Sequence, residues 1–453
     1  MKNEQNINCD FTIISPNETF QSAGTMKLIG WGSRLFKKLS WNMKFSDKLF
    51  YGRKAFKMRA LAVDDSLMRE KLALELYKSA NVPVQEGAFA RLFINGDTYG
   101  LYMISDSFNK KWLSAYVHGN EKTSVGFSYK MDSSPPDGPY ADFKYLGDSY
   151  ENYMNLPTYN LDIYDENTIK SDDLKTQWTP LANFIIKYNN WIKKYKKDTS
   201  DKAITELKKF LDVETTLRIL AIETLILPLD NFWLISGNTA LYYNTEKGHY
   251  QFIPYDFDQV MHGSWEIEQF NPKNYMKDCI TWANYNEKYY EHYFINNLFV
   301  HPQITQRYNE ILAAILNKSY KIDVITNYLQ VLHDLIQDDV QWNIDAVSKL
   351  SIPYNGEVEN FTMEDFEMNM SKEHEYTSIS TSYRLWEFVD VRSSYCKAYV
   401  NSLNKTTTTK AKTTRTTTKA KTTRTTTKAK TTKKTKAKTT KTKTQTKTKK
   451  QRN

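Results

Sequence analysis

Residues 230–258 read DNFWLISGNTALYYNTEKGHYQFIPYDFD. Asp230, Asn238, Asp256 and Asp258 stand there among strand-forming aromatics, where a core strand normally excludes acids. The run TALYYNTEKGHYQFIPY turns at Glu246-Lys247-Gly248, which predicts a hairpin. A hairpin brings its two ends together, so Asn238 and Asp256 are expected neighbours, with Asp230 beside them. Carboxylate and amide oxygens are hard donors of the kind Mg²⁺ takes when it keeps waters and shares a phosphate. Without a cation such acids repel one another, or one stays protonated. The alternative is a set of surface turns, in which Asp and Asn are common.

Helix, loop with Asp then Asn, short hairpin, Asp-x-Asp: this is the order of a protein-kinase catalytic centre. There the loop Asp orients the hydroxyl, and the loop Asn and a later Asp hold Mg²⁺. The spacing is looser here, since Asp230 and Asn238 are eight residues apart against about five in the ordinary kinase loop. No HRD, DFG, APE or GxGxxG occurs.

The elements that must position these residues begin at the N-terminus. TMKLIGWGSR predicts a strand entering a turn with Gly30 and Gly32; LSWNMKFS and KAFKMRALA predict two more strands, bearing Lys44 and Arg59. DDSLMREKLALELYKSANVP predicts a helix with Asp64 or Asp65 as cap, Glu70 near its start and Pro83 as stop. EGAFARLFINGDTYGLYMISD predicts a hairpin. A glycine turn lets backbone N–H groups approach phosphate, and a base on the sheet offsets phosphate charge. Ordinary exposed strand residues are the alternative for each base. Residues 107–180, rich in turns (PPDGPYADF), read as loops or an insertion, and from 180 the texture is helical: PLANFIIKYNNWIKKY, ITELKKFLDVETTLRILAIETLIL ended by Pro228, NEILAAILN, YLQVLHDLIQDDV and SYRLWEFVDVRSSYCKAYVNSL.

The pieces GWGSRLFKKLSWNMKF, FKMRALAVDDSLMREKLALEL, VPVQEGAFARLFINGDTYGLYMISD, NTALYYN, FIPYDFDQVM and LWEFVDVRSSYC occur in the order of the spore coat protein H (CotH) kinase family. The chain resembles that family over roughly residues 10–400, most specifically in INGDTYGLY, DDSLMREKLA and PYDFD. The resemblance implies an α+β, two-lobed, atypical protein-kinase-like fold. A β-rich N-lobe would span residues 1–106 and a mainly helical C-lobe 107–404, with a polar insertion at about 119–178. It implies ATP with Mg²⁺ or Mn²⁺ as cofactors, and transfer of the γ-phosphate to Ser or Thr of secreted, coat or wall proteins. Asp230 then resembles the catalytic acid. Asn238, Asp256 and Asp258 resemble the metal holders, Glu70 the helix Glu that pairs with a base, and Gly30 and Gly32 the phosphate loop. The base is Arg59, Lys44 or Lys38. Two departures stand out: GNTALYY keeps only Asn238 before its Tyr-rich strand, and Ser105 and Asp106 stand where the family often carries Glu. These leave room for the other function the resemblance offers, an adhesin or structural surface protein on a weakly active or inactive kinase-like scaffold. The Asn, Lys and Tyr richness suits a fungal member.

Of 453 residues, 405–453 hold 19 Lys and Arg and no acid. The remainder has 43 bases against 52 acids, a formal charge of −9, although the whole chain is +10. The bulk charge is therefore no argument for nucleic-acid binding by the globular part. The tail repeats TTRTTTKAK with a nine-residue period; Thr and Lys bury too little surface to offset chain entropy, so disorder is expected over 405–453. A polycation of this kind suits anionic host or wall surface components, and without aromatics it does not stack on bases. Three cysteines without CxxC exclude a zinc ribbon and leave one disulfide open. Seven scattered histidines without HExxH argue against a metalloprotease, and His262, just past PYDFD, reads as structural. No apolar run reaches the length of a membrane span. MKNEQNINCDFTII lacks a signal-peptide core, which taken literally means cytosolic. The resemblance implies export instead, to the cell surface or spore coat, with the start of the chain missing. Five N-x-[ST] sequons occur, at Asn17, Asn317, Asn360, Asn369 and Asn404.

Overall fold

The computed structural model describes residues 5–30, 32–262, 271, 275–280, 291–350, 356–357, 360–371 and 383–421, with the backbone alone over 404–421. Its architecture is α+β. The first sheet is built from β1 (Ile7–Ile14), β2 (Thr19–Leu28), β3 (Trp41–Phe45), β4 (Ala55–Arg59), β5 (Gly87–Ile94) and β6 (Asp97–Asp106). Its spatial order is β1-β2-β3-β4-β6-β5, and every described pairing is antiparallel. Asn95 and Gly96, both at positive φ, close the β5–β6 hairpin, as the INGD signal predicts. One sheet face carries Phe20, Met43, Phe45, Phe56, Met58 and Tyr102, which pack as a satellite core. Strand alternation sends Lys57, Arg59, Met103 and Ser105 to the opposite face.

α1 (Arg69–Ser79) follows β4. Asp64 starts it, accepting from Arg69 N–H at 2.8 Å and Ser66 N–H at 2.9 Å, and Arg69 in turn pairs with Asp64 and Asp65 in the interior. The helix ends four residues before Pro83.

Next come α2 (Lys110–Trp112), β7 (Phe127–Met131), α3 (Glu151–Met154) and β8 (Tyr159–Ile163). This corrects the expectation of loops over 107–180. β7 pairs with both β8 and β9 in a second sheet, of order β10-β9-β7-β8. Short strands in a turn-rich context carry little periodic signal, and pairing partners distant in sequence decide them. β9 (Thr239–Asn244) and β10 (His249–Pro254) form the expected hairpin, with Gly248 at φ 61° in its turn.

The helices are α4 (Leu174–Tyr195), α5 (Lys202–Leu207), α6 (Val213–Ile226), α7 (Phe232–Ile235), α8 (Tyr293–Leu298), α9 (Pro302–Asn317), α10 (Ile322–Ser348), α11 (Met363–Met368) and α12 (Leu385–Lys421). α6 is buried on nearly every side, and the main core forms around it from α1, α4, α9, α10 and the second sheet. Cys279 and Cys396 form a disulfide that ties α12 to the segment 275–280. Arg392 of α12 donates to the carbonyls of Tyr275, Met276 and Asp278 in the same segment.

Contacts group residues 1–401 as one unit and 402–453 as a second. The backbone is helical to Lys421. Residues 422–453, the rest of the repeat, lie outside the described residues. No helix among the described residues is long and apolar enough to cross a membrane.

Candidate active site

α6 stops where Leu227 turns left-handed (φ 42°) and Pro228 removes the next donor. The chain then carries Asp230 into the one-turn α7, and Ser236 (φ 55°) closes that turn. Gly237 lets the loop fold back on itself: a Cβ there would stand 2.3 Å from the Asp230 carbonyl oxygen. The loop ends at the mouth of the β9–β10 hairpin, where Tyr255 N–H donates to the Asn238 carbonyl at 2.9 Å. Asn231 spans the mouth, its Nδ2 donating to the carbonyls of Tyr255 and Asp256 at 3.3 Å each. Asn238 (φ 39°) and Asp256 (φ 61°) both adopt left-handed backbone. That conformation costs a non-glycine residue about 1–3 kcal/mol, and such strain collects at functional sites.

Asp230, Asn238, Asp256 and Asp258 therefore come together. Asp230 Oδ1 is buried with no hydrogen bond, and the Asn238 amide lies near enough to the Asp230 carboxylate to favour its charge. Burial pushes the Asp230 carboxyl up to about 7, the Asp256 charge adds to the shift, and Asn238 opposes it. Burial and Asp256 also drive Asp258 well above the carboxylate range. Asp256 goes the other way: burial works against its charge, and Arg59 and Lys57 outweigh burial.

Arg59 is the cation these acids meet. Its Nη2 bonds Asp256 Oδ1 and lies 3.4 Å from Asp258 Oδ2, and its Nε lies 3.2 Å from Glu70 Oε1. So the expected Glu70–base pair forms, with Arg59 as the base. Lys38 is elsewhere: its buried ammonium donates to the Leu101 carbonyl and to Asn343 Oδ1 at 2.8 Å. Lys44 is exposed on β3 opposite Ala55, on the same sheet face as Arg59 and outside the acid cluster. Gly30 (φ 90°) turns the chain after β2, and its missing Cβ leaves room for Ser33 Oγ. Gly32 opens the short 3₁₀ turn that follows, and a Cβ there would meet nothing. His262 donates from Nε2 to the Asp258 carbonyl at 3.1 Å.

Lys57 completes the site, and the sequence motifs did not single it out. Lys27, Asn42, Lys57 and Ser105 stand in one cross-strand row. Burial pushes the Lys57 ammonium down, and the Asp256 charge opposes that. The signal for it was present: Lys57 and Arg59 are two apart on one strand and so face the same way. Ala55-Phe56-Lys57 also shares the A-x-K pattern of the kinase strand.

Among the described residues no three His, Cys, Asp or Glu side chains form a ready metal cage. The guanidinium of Arg59 takes the space between Asp256 and Asp258 that a cation would share. The donor set nonetheless fits a divalent ion. Its oxygens are hard, Asp230 Oδ1 is orphaned, and the carboxylates of Glu70, Asp230, Asp256 and Asp258 outnumber the cations Lys57 and Arg59. At the start of β4, a cavity of about 170 Å³ is lined by Ala55, Ser107, Trp112 and Tyr116 together with the Arg53–Asp106 ion pair.

Residues 26–395 match the family model described as CotH kinase protein. The chain belongs to the CotH family. This CotH chain is 22% identical over 316 residues to Invasin CotH3 of Rhizopus delemar, covering 69% of the chain and 48% of the relative. It is 28% identical over 229 residues to Inner spore coat protein H of Bacillus subtilis, covering 50% of the chain and 55% of the relative. The chain thus spans about half the length of the curated relatives it matches.

Proposed function

We propose that this CotH chain is an atypical protein kinase that moves the γ-phosphate of ATP to a Ser or Thr hydroxyl of a coat, wall or secreted protein. In this reading the first sheet with α1 is the N-lobe (1–106) and residues 107–404 are the C-lobe. The observation that carries it is the meeting of Asp230, Asn238 and Asp256 opposite Arg59, Glu70 and Lys57.

Lys57, with Lys27 and Lys44 on the same face, attracts the triphosphate. The adenine takes the cavity at Ala55 and Ser107, just past β6. Asn238, Asp256 and Asp258 would hold Mg²⁺ or Mn²⁺, whose charge, when bound, offsets that of the β- and γ-phosphates. Asp230 accepts the proton of the acceptor hydroxyl through its free Oδ1. The hydroxyl oxygen forms a bond to the γ-phosphorus as the bond to the bridging oxygen breaks, and ADP leaves. A carboxyl held up near 7 is a better proton acceptor than an ordinary aspartate, and is still largely ionised just above neutral pH.

The names of the relatives, invasin and spore coat protein, support a coat or surface location, as does the disulfide, which persists in oxidising compartments. They also support a second reading, a surface adhesin on an inactive scaffold whose basic tail meets anionic host or wall components. Incubation with γ-labelled ATP and Mg²⁺ or Mn²⁺ separates the two. The kinase reading expects labelled Ser or Thr in the protein, abolished in Asp230→Asn and in Asp256→Ala. Equal labelling of all three proteins overturns it, and no labelling of any favours the adhesin.

A further inference from the structure

Glu223 is fully buried in α6, and its carboxylate meets the backbone at the start of α7. Its Oε2 accepts from Trp233 N–H at 2.6 Å, and its Oε1 from Phe232 N–H at 3.4 Å. Those are the first two N–H groups of α7, which have no partner within a helix. Asn231, at the N-cap position, gives α7 no side-chain cap. Glu223 thus caps α7 from outside and fixes the turn that begins two residues after Asp230. The same turn is held from another side by His292, whose Nδ1 accepts from Ile295 N–H at 3.4 Å. Its Nε2 therefore carries the proton and donates to the Phe232 carbonyl at 2.8 Å.

The Glu223 carboxylate has a third donor. Tyr77 O–H, from α1, reaches Oε1 at 3.4 Å. Tyr77 is fully buried, and its ring packs on Phe257, the residue between Asp256 and Asp258, with centroids 4.8 Å apart. One side chain of α1 therefore touches both the support of the Asp230 loop and the Asp-x-Asp segment. The same helix carries Glu70, the partner of Arg59, which in turn binds Asp256.

We infer that Tyr77 and Glu223 are positioning residues: their contact makes α1 the part that sets Asp230 and Asp256 in register with each other. This rests on the phosphoryl-transfer reading for its kinetic consequences and on geometry alone for its structural ones. Neither residue touches the reacting atoms. Losing the contact loosens the α7 turn, which lowers the rate of transfer more than it weakens nucleotide binding.

Tyr77→Phe keeps the ring on Phe257 and removes the O–H; Tyr77→Leu removes both; Glu223→Met keeps the volume and removes both acceptors of the α7 N–H groups. Amide hydrogen exchange of a peptide covering 231–236 is expected to speed up at least tenfold in Glu223→Met and by less in Tyr77→Phe. A peptide from α9 is expected to stay unchanged. Unchanged exchange at 231–236 in both variants overturns the inference, whatever the protein's activity. In turnover with Mg²⁺ and ATP, both variants are expected to lose at least tenfold in kcat with KM for ATP within twofold. The Mg²⁺ half-saturation is expected to rise only in Tyr77→Leu. A raised KM at unchanged kcat also overturns the inference. A wild-type protein that neither binds Mg²⁺ with ATP nor labels itself refutes the kinase reading, and the exchange arm then still decides the clamp.

Discussion

At the scale of single residues, the site is a buried charge problem answered by one arginine. Asp256 keeps its charge because Arg59 lies against it, while Asp230, one step farther from that cation, is pushed up to about 7. The proton balance has a definite sign. The folded-state value exceeds the 3.8 of a free aspartate, so between those pH values the folded state holds a proton that the unfolded chain has lost. Stability attributable to this group therefore falls as pH rises from about 4 to 7. Asp230→Asn removes the dependence. It is expected to be more stable than wild type by ~1–3 kcal/mol at pH 7.5 and little different at pH 4, checked by denaturant melts at both values. The kinase account adds a kinetic counterpart: kcat/KM should fall as pH drops through about 7, the protonation range of Asp230, rather than near 4. Most of these residues were legible in sequence, because Asp230, Asn238, Asp256 and Asp258 bracket a hairpin with a plain turn signal. The base that meets these acids was not singled out. Lys38, Lys44, Lys57 and Arg59 all lie on the first strands or the loop between them. Register sets Lys44, Lys57 and Arg59 on one face, so burial and partners separate them: Lys44 is exposed, Arg59 bonds Asp256, and Lys38 is buried against Asn343.

At the scale of elements, the site is made by the way α6, α7 and the β9–β10 hairpin join. Asp212 starts α6, accepting from Thr215 N–H at 3.0 Å, and Leu227 and Pro228 end it in front of Asp230. Gly237 is the tightest point of the joint. Gly237→Ala places a methyl against the Asp230 carbonyl, so the loop must shift and the Asp230–Asn238 contact opens. The expected outcome is a fall of at least tenfold in kcat/KM with a loss of ~1–3 kcal/mol in stability, measured by steady-state kinetics and urea melts. α1, the β5–β6 hairpin and β9–β10 were legible because capping acids, Asn-Gly and Lys-Gly turns mark their ends. β7 was not. FSYKM is five residues long, and what makes it a central strand is its pairing with β8 and β9, more than 25 and 100 residues away.

At the scale of the whole molecule, residues 1–401 carry the fold and a formally acidic surface, and the basic repeat belongs to the second unit. The disulfide between Cys279 and Cys396 closes a loop of 117 residues and holds α12 to the core beside Arg392. Three cysteines alone left its existence open, since only the fold brings those two within reach. Cys396→Ser is expected to lower stability by ~2–5 kcal/mol in urea melts, and reducing agent is expected to do the same to wild type and nothing more to the variant. The claim on which the function depends is that Asn238 and Asp256 turn their oxygens to a nucleotide-bound cation. The most direct measurement is the anomalous scattering of Mn²⁺ in crystals grown with a non-hydrolysable ATP analogue. The account predicts a manganese peak bonded to the Asp256 carboxylate and the Asn238 amide oxygen, with the triphosphate beside Lys57. A nucleotide bound elsewhere, or no manganese there while Arg59 still holds Asp256, would contradict it.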